Sequence, residues 1–133
     1  MSPAEFETLV AEAVDGLPER IRREFENLAF CVENKARRAK AREVGVRVGG
    51  ALLGLYEGVP LLERGAGYGP FPPDKITIFQ APIEEEAGGN PARIRELVAE
   101  VVWHEVGHHL GFDDRELRRI EKKRAARRLR GGR

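Results

Sequence analysis

The chain has 133 residues, a length that corresponds to one domain with a modest core. Hydrophobic residues make up 41% and charged residues 34%, as in soluble globular proteins, and no apolar run reaches the roughly 18 residues of a membrane span. A net charge of +1 excludes a global field that favours nucleic acid or membrane. The single cysteine, Cys31, excludes an internal disulfide, and the N-terminus lacks the pattern of a signal peptide, so we expect a cytoplasmic protein.

Signals for a first helix stand at the N-terminus. Ser2 and Glu5 have the spacing of a capping box, and Pro3 occupies the first helical position. Gly16 is expected to end this helix. The apolar residues between them recur at helical intervals and predict a buried stripe of Phe6, Leu9, Val10, Ala13 and Val14.

The next stretch predicts a second helix and a short strand. Pro18 starts a helix that continues to about Leu28, and residues 29–33 follow as a strand. Cys31 in that strand is expected to be a packed small residue, because no histidine is free to activate it as a nucleophile. Residues 35–47 are basic and contain no aromatic residue, so we expect a solvated connection without a base-stacking surface.

Two further strands flank a loop in the middle of the chain. Residues 52–58 and 76–83 have the apolar content of strands. Residues 65–73 contain three glycines and three prolines, which predicts a loop with the composition of a lid. Tyr68 in this loop could hydrogen-bond a reacting group if the loop folds over the site described below. The alternative is that Tyr68 only packs or faces solvent.

All three histidines of the chain lie in the segment HEVGHHLGFDD at residues 104–114. Asn90 and Pro91 have the residue types that begin a helix, and an apolar periodicity continues it up to this segment. His104 and His108 therefore lie one turn apart on the same helix face, where both imidazoles can bind one metal ion. The alternative is a surface helix whose histidines are solvated.

The neighbours of this histidine pair complete a metal-site motif. Glu105 is rotated by about 100° on the helix, so it can act as a base toward water on the metal without being a ligand. Gly111 has the residue type that ends a helix in the left-handed conformation, after which the chain can turn back. Asp114 lies three residues further on and is the expected third ligand, whereas Asp113 is expected to cap the next helix. His109 must point elsewhere, to a supporting or a surface position.

A basic segment closes the sequence. Residues 115–130 predict a last helix with a thin apolar face, and from Arg115 onward ten Lys or Arg residues stand against two Glu. One interpretation is a solvated helix followed by a frayed tail. The other is a patch that binds nucleic acid or an acidic partner.

Four segments of the chain carry a family resemblance: EFETLVAEAVDGLP at 5–18, LLGLYEGVPLLER at 52–64, KITIFQAPI at 75–83 and VVWHEVGHHLGFDD at 101–114. Together they resemble the short bacterial zincin-like metallopeptidases. The resemblance spans residues 5 to about 118 and leaves the basic tail outside. It implies an α+β, minimal zincin-like fold for a single domain of residues 1–133, with a small sheet beside the active-site helix.

The resemblance also implies a cofactor and an activity. One zinc ion is expected at the positions matching His104, His108 and Asp114, with Glu105 as the catalytic base. The implied reaction is hydrolysis of peptide bonds in a peptide or unfolded polypeptide, with Glu105 moving a proton from water to the leaving amine. Larger members of the zincin group usually have a third histidine where this chain has Asp114.

The substrate is expected to bind as an added strand at a sheet edge. The strand from Ile76 is the natural candidate, because it leads toward the active-site helix. Two alternatives stay open: a zinc-containing peptide-binding module with little turnover, and a nucleic-acid-associated protein that uses the basic tail. No membrane partner is expected, and the sequence leaves the oligomeric state open.

Overall fold

The computed structural model of the protein describes residues 1–36, 45–58 and 73–131. These residues form five helices and a four-stranded mixed sheet, which confirms the α+β class. None of the described helices is long and apolar enough to cross a membrane. In chain order the elements are α1 (Pro3–Asp15), α2 (Glu19–Arg22), β1 (Leu28–Glu33), β2 (Gly45–Val48), β3 (Ala51–Glu57), β4 (Asp74–Phe79), α3 (Gln80–Glu86), α4 (Pro91–Leu110) and α5 (Asp114–Gly131).

The sheet has the order β1-β4-β3-β2, so the strand that contains Ile76 lies inside it. β1 pairs with β4 in parallel, with Phe30 opposite Ile76. β3 pairs with the other side of β4 in antiparallel fashion, with Tyr56 opposite Ile76. The prediction of a substrate-binding edge at Ile76 is therefore wrong, because β1 and β3 occupy both backbone edges of this strand. Among the described strands, β1 and β2 are the edges.

The long helix α4 lies against α1 and against the central strands β3 and β4. Its apolar stripe supplies much of the main core, because Val98, Val102 and Val106 are fully buried. Phe6 of α1 and Ile76 of β4 are likewise buried in this core. Two polar side chains in the last two turns of α4 are also fully buried, so this helix contributes both apolar and polar groups to the interior.

The helix caps follow the local sequence signals. Ser2 and Glu5 form the capping box of α1, with Ser2 Oγ accepting from the Glu5 amide at 3.1 Å. Asn90 caps α4 in the same way, accepting from the Arg93 amide at 3.1 Å. Gly111 ends α4 with φ of 106°, a left-handed conformation that glycine adopts without strain. The predicted start and end of α4 are therefore confirmed.

The predicted second helix is shorter than expected. The chain is helical only over Glu19–Arg22, whereas the sequence pattern extends to about Leu28. Asn27 has φ of 50°, which a helix cannot contain, and its carbonyl accepts from the Asp74 amide at 2.8 Å. Pairing with β4 thus draws Leu28 into β1, and the resulting strand contains the predicted residues 29–33. Cys31 is a half-buried free thiol in this strand.

Two further boundaries differ from the sequence prediction. The strand expected over 76–83 ends at Phe79, and Gln80 begins α3. Pro82 is compatible with this helix because it lies in the first turn, where no intrahelical donor is needed. Residues 45–48 form β2 at the end of the expected basic connection. The loop 65–73 and its Tyr68 lie outside the described residues.

Candidate metal centre

His104, His108 and Asp114 converge at the junction of α4 and α5. Asp114 Oδ1 lies 3.1 Å from Nε2 of His104 and 3.1 Å from Nε2 of His108. The two imidazole rings are 5.0 Å apart and nearly perpendicular. One ligand atom from each of the three side chains lies within 4.8 Å of the others, close enough for all three to bind one ion. The structure thus brings together all three side chains that the motif predicts as ligands.

A tight turn delivers Asp114 to the histidines. The Phe112 amide donates to the Gly107 carbonyl at 2.9 Å, which closes the end of α4 around left-handed Gly111. Asp113 then caps α5, because its Oδ1 accepts from the Glu116 amide at 2.8 Å. The predicted cap role of Asp113 is confirmed, and Asp114 is left as the first residue of the new helix with its carboxylate on the histidine side.

Close packing between α4 and α5 fixes this geometry. Leu117 of α5 is fully buried and lies over Gly107 of α4. A side chain at Gly107 would overlap the Leu117 methyl groups, so only glycine allows the two helices to approach this closely. Asp114 and Leu117 are three residues apart on one face of α5, and the packing of one therefore places the other.

The donor set fits a divalent metal. Nε2 of His108 is buried and has no hydrogen-bond partner among the described residues, although Asp114 lies 3.1 Å away. Burial lowers the pKa of His108, and nearby His104 acts in the same direction, which favours the neutral imidazole that metals bind. Two imidazole nitrogens and one carboxylate oxygen are ligands typical of zinc and related ions.

Glu105 points into the interior beside this cluster. It is fully buried, and its Oε2 accepts a hydrogen bond from the Val46 amide of β2 at 3.1 Å. Its Oε1 is buried without a hydrogen-bond partner in the described part of the chain. Burial raises the pKa of Glu105 to about 8, the Val46 hydrogen bond opposes this rise, and the charge of Asp114 adds to it. A buried carboxyl with one oxygen in a hydrogen bond and the other without one has the features of a proton-transfer group.

Gly54 of β3 allows Glu105 to reach across the sheet. A Cβ at Gly54 would overlap Cγ1 of Val101 and would lie 3.4 Å from Cγ of Glu105. Since glycine leaves this space open, α4 packs directly on the β3 backbone. The carboxylate of Glu105 can then contact Val46 on the neighbouring strand.

Two acidic residues that the sequence motif does not predict contact the histidines. Asp74 is buried on β4 and contacts His109 at 2.9 Å, so His109 has a supporting position and the surface alternative is wrong. Glu121 of α5 lies 3.4 Å from Nδ1 of His104. Neither contact has a local sequence signal, because the partners are 35 and 17 residues apart.

Comparison with known families agrees with this site. The family model described as zincin-like metallopeptidase matches residues 25–124, which include β1 to β4, the histidine cluster and most of α5. The chain therefore belongs to the zincin-like metallopeptidase family, and this family implies a bound metal. No curated protein shows a significant match to the chain.

Proposed function

We propose that the protein is a zinc-dependent peptidase that cleaves extended polypeptides. The observation that carries this proposal is the convergence of His104, His108 and Asp114 beside Glu105, a buried carboxyl with one uncommitted oxygen. Family membership supports the same activity at a coarser level. The proposed roles of these four residues, three ligands and one base, are the ones that the sequence motif predicts.

The three candidate ligands leave room for a reacting group. His104 and His108 each have Nε2 3.1 Å from Oδ1 of Asp114, so these nitrogens and a carboxylate oxygen are the atoms offered to the metal. Three protein ligands leave one tetrahedral position open, which is the arrangement of catalytic rather than structural zinc sites. Zinc, when bound, polarises the scissile carbonyl and lowers the pKa of water. The histidine side chains are about one-sixth exposed and Asp114 about half exposed, so a substrate can approach from solvent.

Glu105 is assigned the proton transfer. Val46 holds Oε2, so Oε1 is the atom that takes the proton from the attacking water. The same oxygen then gives the proton to the amine that leaves as the peptide C–N bond breaks. Burial raises the pKa of this carboxyl in the metal-free protein, which favours uptake of a proton by Oε1.

The strand β2 is the proposed site for the substrate backbone. It is an edge among the described strands, and its residue Val46 contacts Glu105 directly. β4, in contrast, is paired on both sides and cannot accept another strand. An extended chain added along β2 would therefore place a peptide bond close to the base. We expect unstructured polypeptides, such as casein, to be better substrates than folded proteins.

The test compares wild type with Glu105→Gln in a zinc-loaded casein assay. Gln keeps the size of the side chain and can still accept from the Val46 amide, but it cannot take a proton from water. Zinc content should stay at one ion per chain, and hydrolysis should fall by at least about 100-fold. Glu100→Gln is the matched control, because Glu100 is on the same helix and is exposed in an ion pair with Arg93.

Three results separate the possible roles. Activity that persists in Glu105→Gln would show that Glu105 is not the base. Wild-type protein that holds zinc and cleaves none of a broad peptide library would favour a peptide-binding module with little turnover. Wild-type protein that stays metal-free with excess zinc would reject the metal site itself.

A second candidate function rests on the surface of α5. Five exposed basic side chains recur at intervals of three and four residues and form one stripe, the basic face of α5: Arg115, Arg118, Arg119, Lys122 and Lys123. Among the described residues, none of these five has an ion-pair partner. Such a stripe fits the phosphate backbone of a nucleic acid, and the lack of aromatic residues argues against base stacking.

Fluorescence anisotropy with short duplex DNA or RNA at about 150 mM salt tests this candidate. Arg118→Glu combined with Lys122→Glu should weaken binding at least about tenfold. Arg20→Glu combined with Arg95→Glu makes the same change in net charge at exposed positions on α2 and α4. If both double variants weaken binding equally, or if wild type does not bind, the basic face has no specific role in nucleic-acid binding.

A further inference from the structure

The two ring nitrogens of His104 contact carboxylates on opposite sides of the ring. Nε2 lies 3.1 Å from Oδ1 of Asp114, in the ligand cluster. Nδ1 lies 3.4 Å from Oε2 of Glu121, which is outside that cluster. Both carboxylates belong to α5, so side chains of one helix contact both nitrogens of a single imidazole ring.

We propose that Glu121 is a positioning residue for His104 in the metal centre. If Nε2 of His104 binds the metal, the proton of the neutral ring is on Nδ1, and the Glu121 carboxylate, which can only accept, is placed to receive it. Nε2 is the ring nitrogen that lies in the ligand cluster, 3.1 Å from Oδ1 of Asp114. A carboxylate bonded to the far nitrogen also makes the imidazole a stronger ligand. This proposal rests on the assignment of His104 as a ligand in the proposed function.

The fold gives Glu121 a fixed approach to the ring. Asp114, Leu117 and Glu121 are separated by three and four residues, so they share the face of α5 that is turned toward α4. Leu117 anchors this face on Gly107, and the first and last of the three residues then reach the same histidine. The remaining described positions of α5 are mostly exposed and basic.

A merely structural role for Glu121 makes different predictions. The Glu121 side chain is about one-third exposed, and an ion pair at such a position contributes little to stability. If Glu121 only tethered α5, its removal would lower the melting temperature of the metal-free protein and leave intrinsic zinc affinity unchanged. If it positions His104, zinc affinity falls even where the metal-free protein is as stable as wild type.

Zinc affinity is measured by competition with a chromophoric chelator for wild type, Glu121→Ala and Glu121→Gln. Glu121→Ala should bind zinc about 10- to 100-fold more weakly. Glu121→Gln should recover part of this loss, because its amide oxygen still accepts from Nδ1 although it is uncharged. Glu100→Ala removes a carboxylate on α4, one turn before His104, and should leave zinc affinity unchanged. NMR of zinc-loaded protein should show a slowly exchanging proton on Nδ1 of His104 in wild type, and this proton should exchange faster with solvent in Glu121→Ala.

The outcomes distinguish this proposal from the one on which it rests. If His104→Ala loses zinc while both Glu121 variants bind as tightly as wild type, the metal site stands and Glu121 has no positioning role. If His104→Ala binds zinc as wild type does, the ligand assignment fails first. Equal losses in Glu121→Ala and Glu100→Ala would assign the effect to general charge and overturn the proposal.

Discussion

Asp74 and His109 form a buried pair, with Oδ2 of the aspartate 2.9 Å from Nδ1 of the histidine. Their exposed fractions are 2% and 0%. Tyr56 donates its hydroxyl to the same Oδ2 at 2.5 Å, and the Glu26 amide donates to His109 Nε2 at 3.3 Å. His109 is thus a neutral ring with its proton on Nδ1, and it ties the last turn of α4 to β3, to β4 and to the segment before β1.

Replacing His109 with Phe should destabilise the protein without removing the metal. The ring shape is kept, but the Asp74 carboxylate loses a donor in a site without solvent access. We expect a loss of about 2–4 kcal/mol in the free energy of unfolding, measured by urea denaturation. Tyr56→Phe removes one donor from the same carboxylate and should cost less, about 1–2 kcal/mol. A folded His109→Phe protein that cannot bind zinc would contradict this purely structural role.

The contacts explain why the segment LLGLYEG at residues 52–58, which covers most of β3 and the residue after it, supports the site. Metal binding does not require it, but the packing of α4 does. Gly54 lets α4 approach the sheet, and Tyr56 bonds to Asp74. Gly58 lies so close to Asp74 that any side chain there would overlap its carboxylate. The segment is therefore part of the support for the site, although it contributes no ligand.

Gly54→Ala should push α4 away from the sheet. Because Val101 is buried and branched at Cβ, its methyl group cannot easily move aside for a new methyl at residue 54. We expect a loss of about 1–3 kcal/mol in unfolding free energy, together with reduced casein hydrolysis as Glu105 loses its contact with Val46. Urea denaturation and the casein assay measure the two effects.

A double-mutant cycle checks the cause. Val101→Ala removes the overlapping methyl and by itself leaves a small cavity. Combined with Gly54→Ala, it should cost clearly less than the sum of the two single changes, because the methyl groups no longer collide. Additive losses would show that the defect at Gly54 has another origin.

Local signals in the sequence predict the site better than they predict the sheet. The caps at Asn90 and Gly111 and the convergence of His104, His108 and Asp114 follow from spacings within one helix and one turn. These features depend on contacts over a few residues, which a sequence displays directly.

The features that the sequence does not predict depend on contacts between residues that are far apart in the chain. β4 lies inside the sheet because β1 pairs with it in parallel across more than 40 residues of chain. The helix that was expected up to Leu28 stops at Arg22 for the same reason. Glu121 reaches His104 only because Leu117 docks α5 on Gly107, and the spacing between the two residues gives no sign of this contact.

The two neighbouring aspartates should have separable effects. Asp113→Ala removes the cap of α5 and should cost about 1 kcal/mol in unfolding free energy with zinc affinity retained. Asp114→Ala leaves the cap intact and should weaken zinc binding at least about tenfold, because both histidines lose the carboxylate 3.1 Å away. Isothermal titration with zinc and urea denaturation of the metal-free proteins measure both variants. The reverse pattern would make Asp113 the ligand.

The burial of Glu105 makes the stability of the metal-free protein depend on pH. Its pKa is about 8 in the folded protein and close to 4.5 in an unfolded chain. Between these values the folded protein holds a proton that the unfolded chain has released, so the free energy of unfolding falls as the pH rises. The stabilising contribution is fully present below about pH 4.5 and is lost as the pH passes through about 8.

Glu105→Gln should remove this dependence, because the amide is neutral at every pH and can still accept from the Val46 amide. The variant and wild type should have similar stability near pH 5, and the variant should become more stable by on the order of a few kcal/mol toward pH 8. Urea denaturation of chelator-stripped wild type and variant across this pH range measures the difference in unfolding free energy between them. The other titrating groups contribute equally to both proteins and cancel in this difference. Glu100→Gln, at an exposed position on the same helix, should show no such pH-dependent difference. If the difference between Glu105→Gln and wild type does not change with pH, Glu105 is ionised in the folded metal-free protein and burial does not raise its pKa.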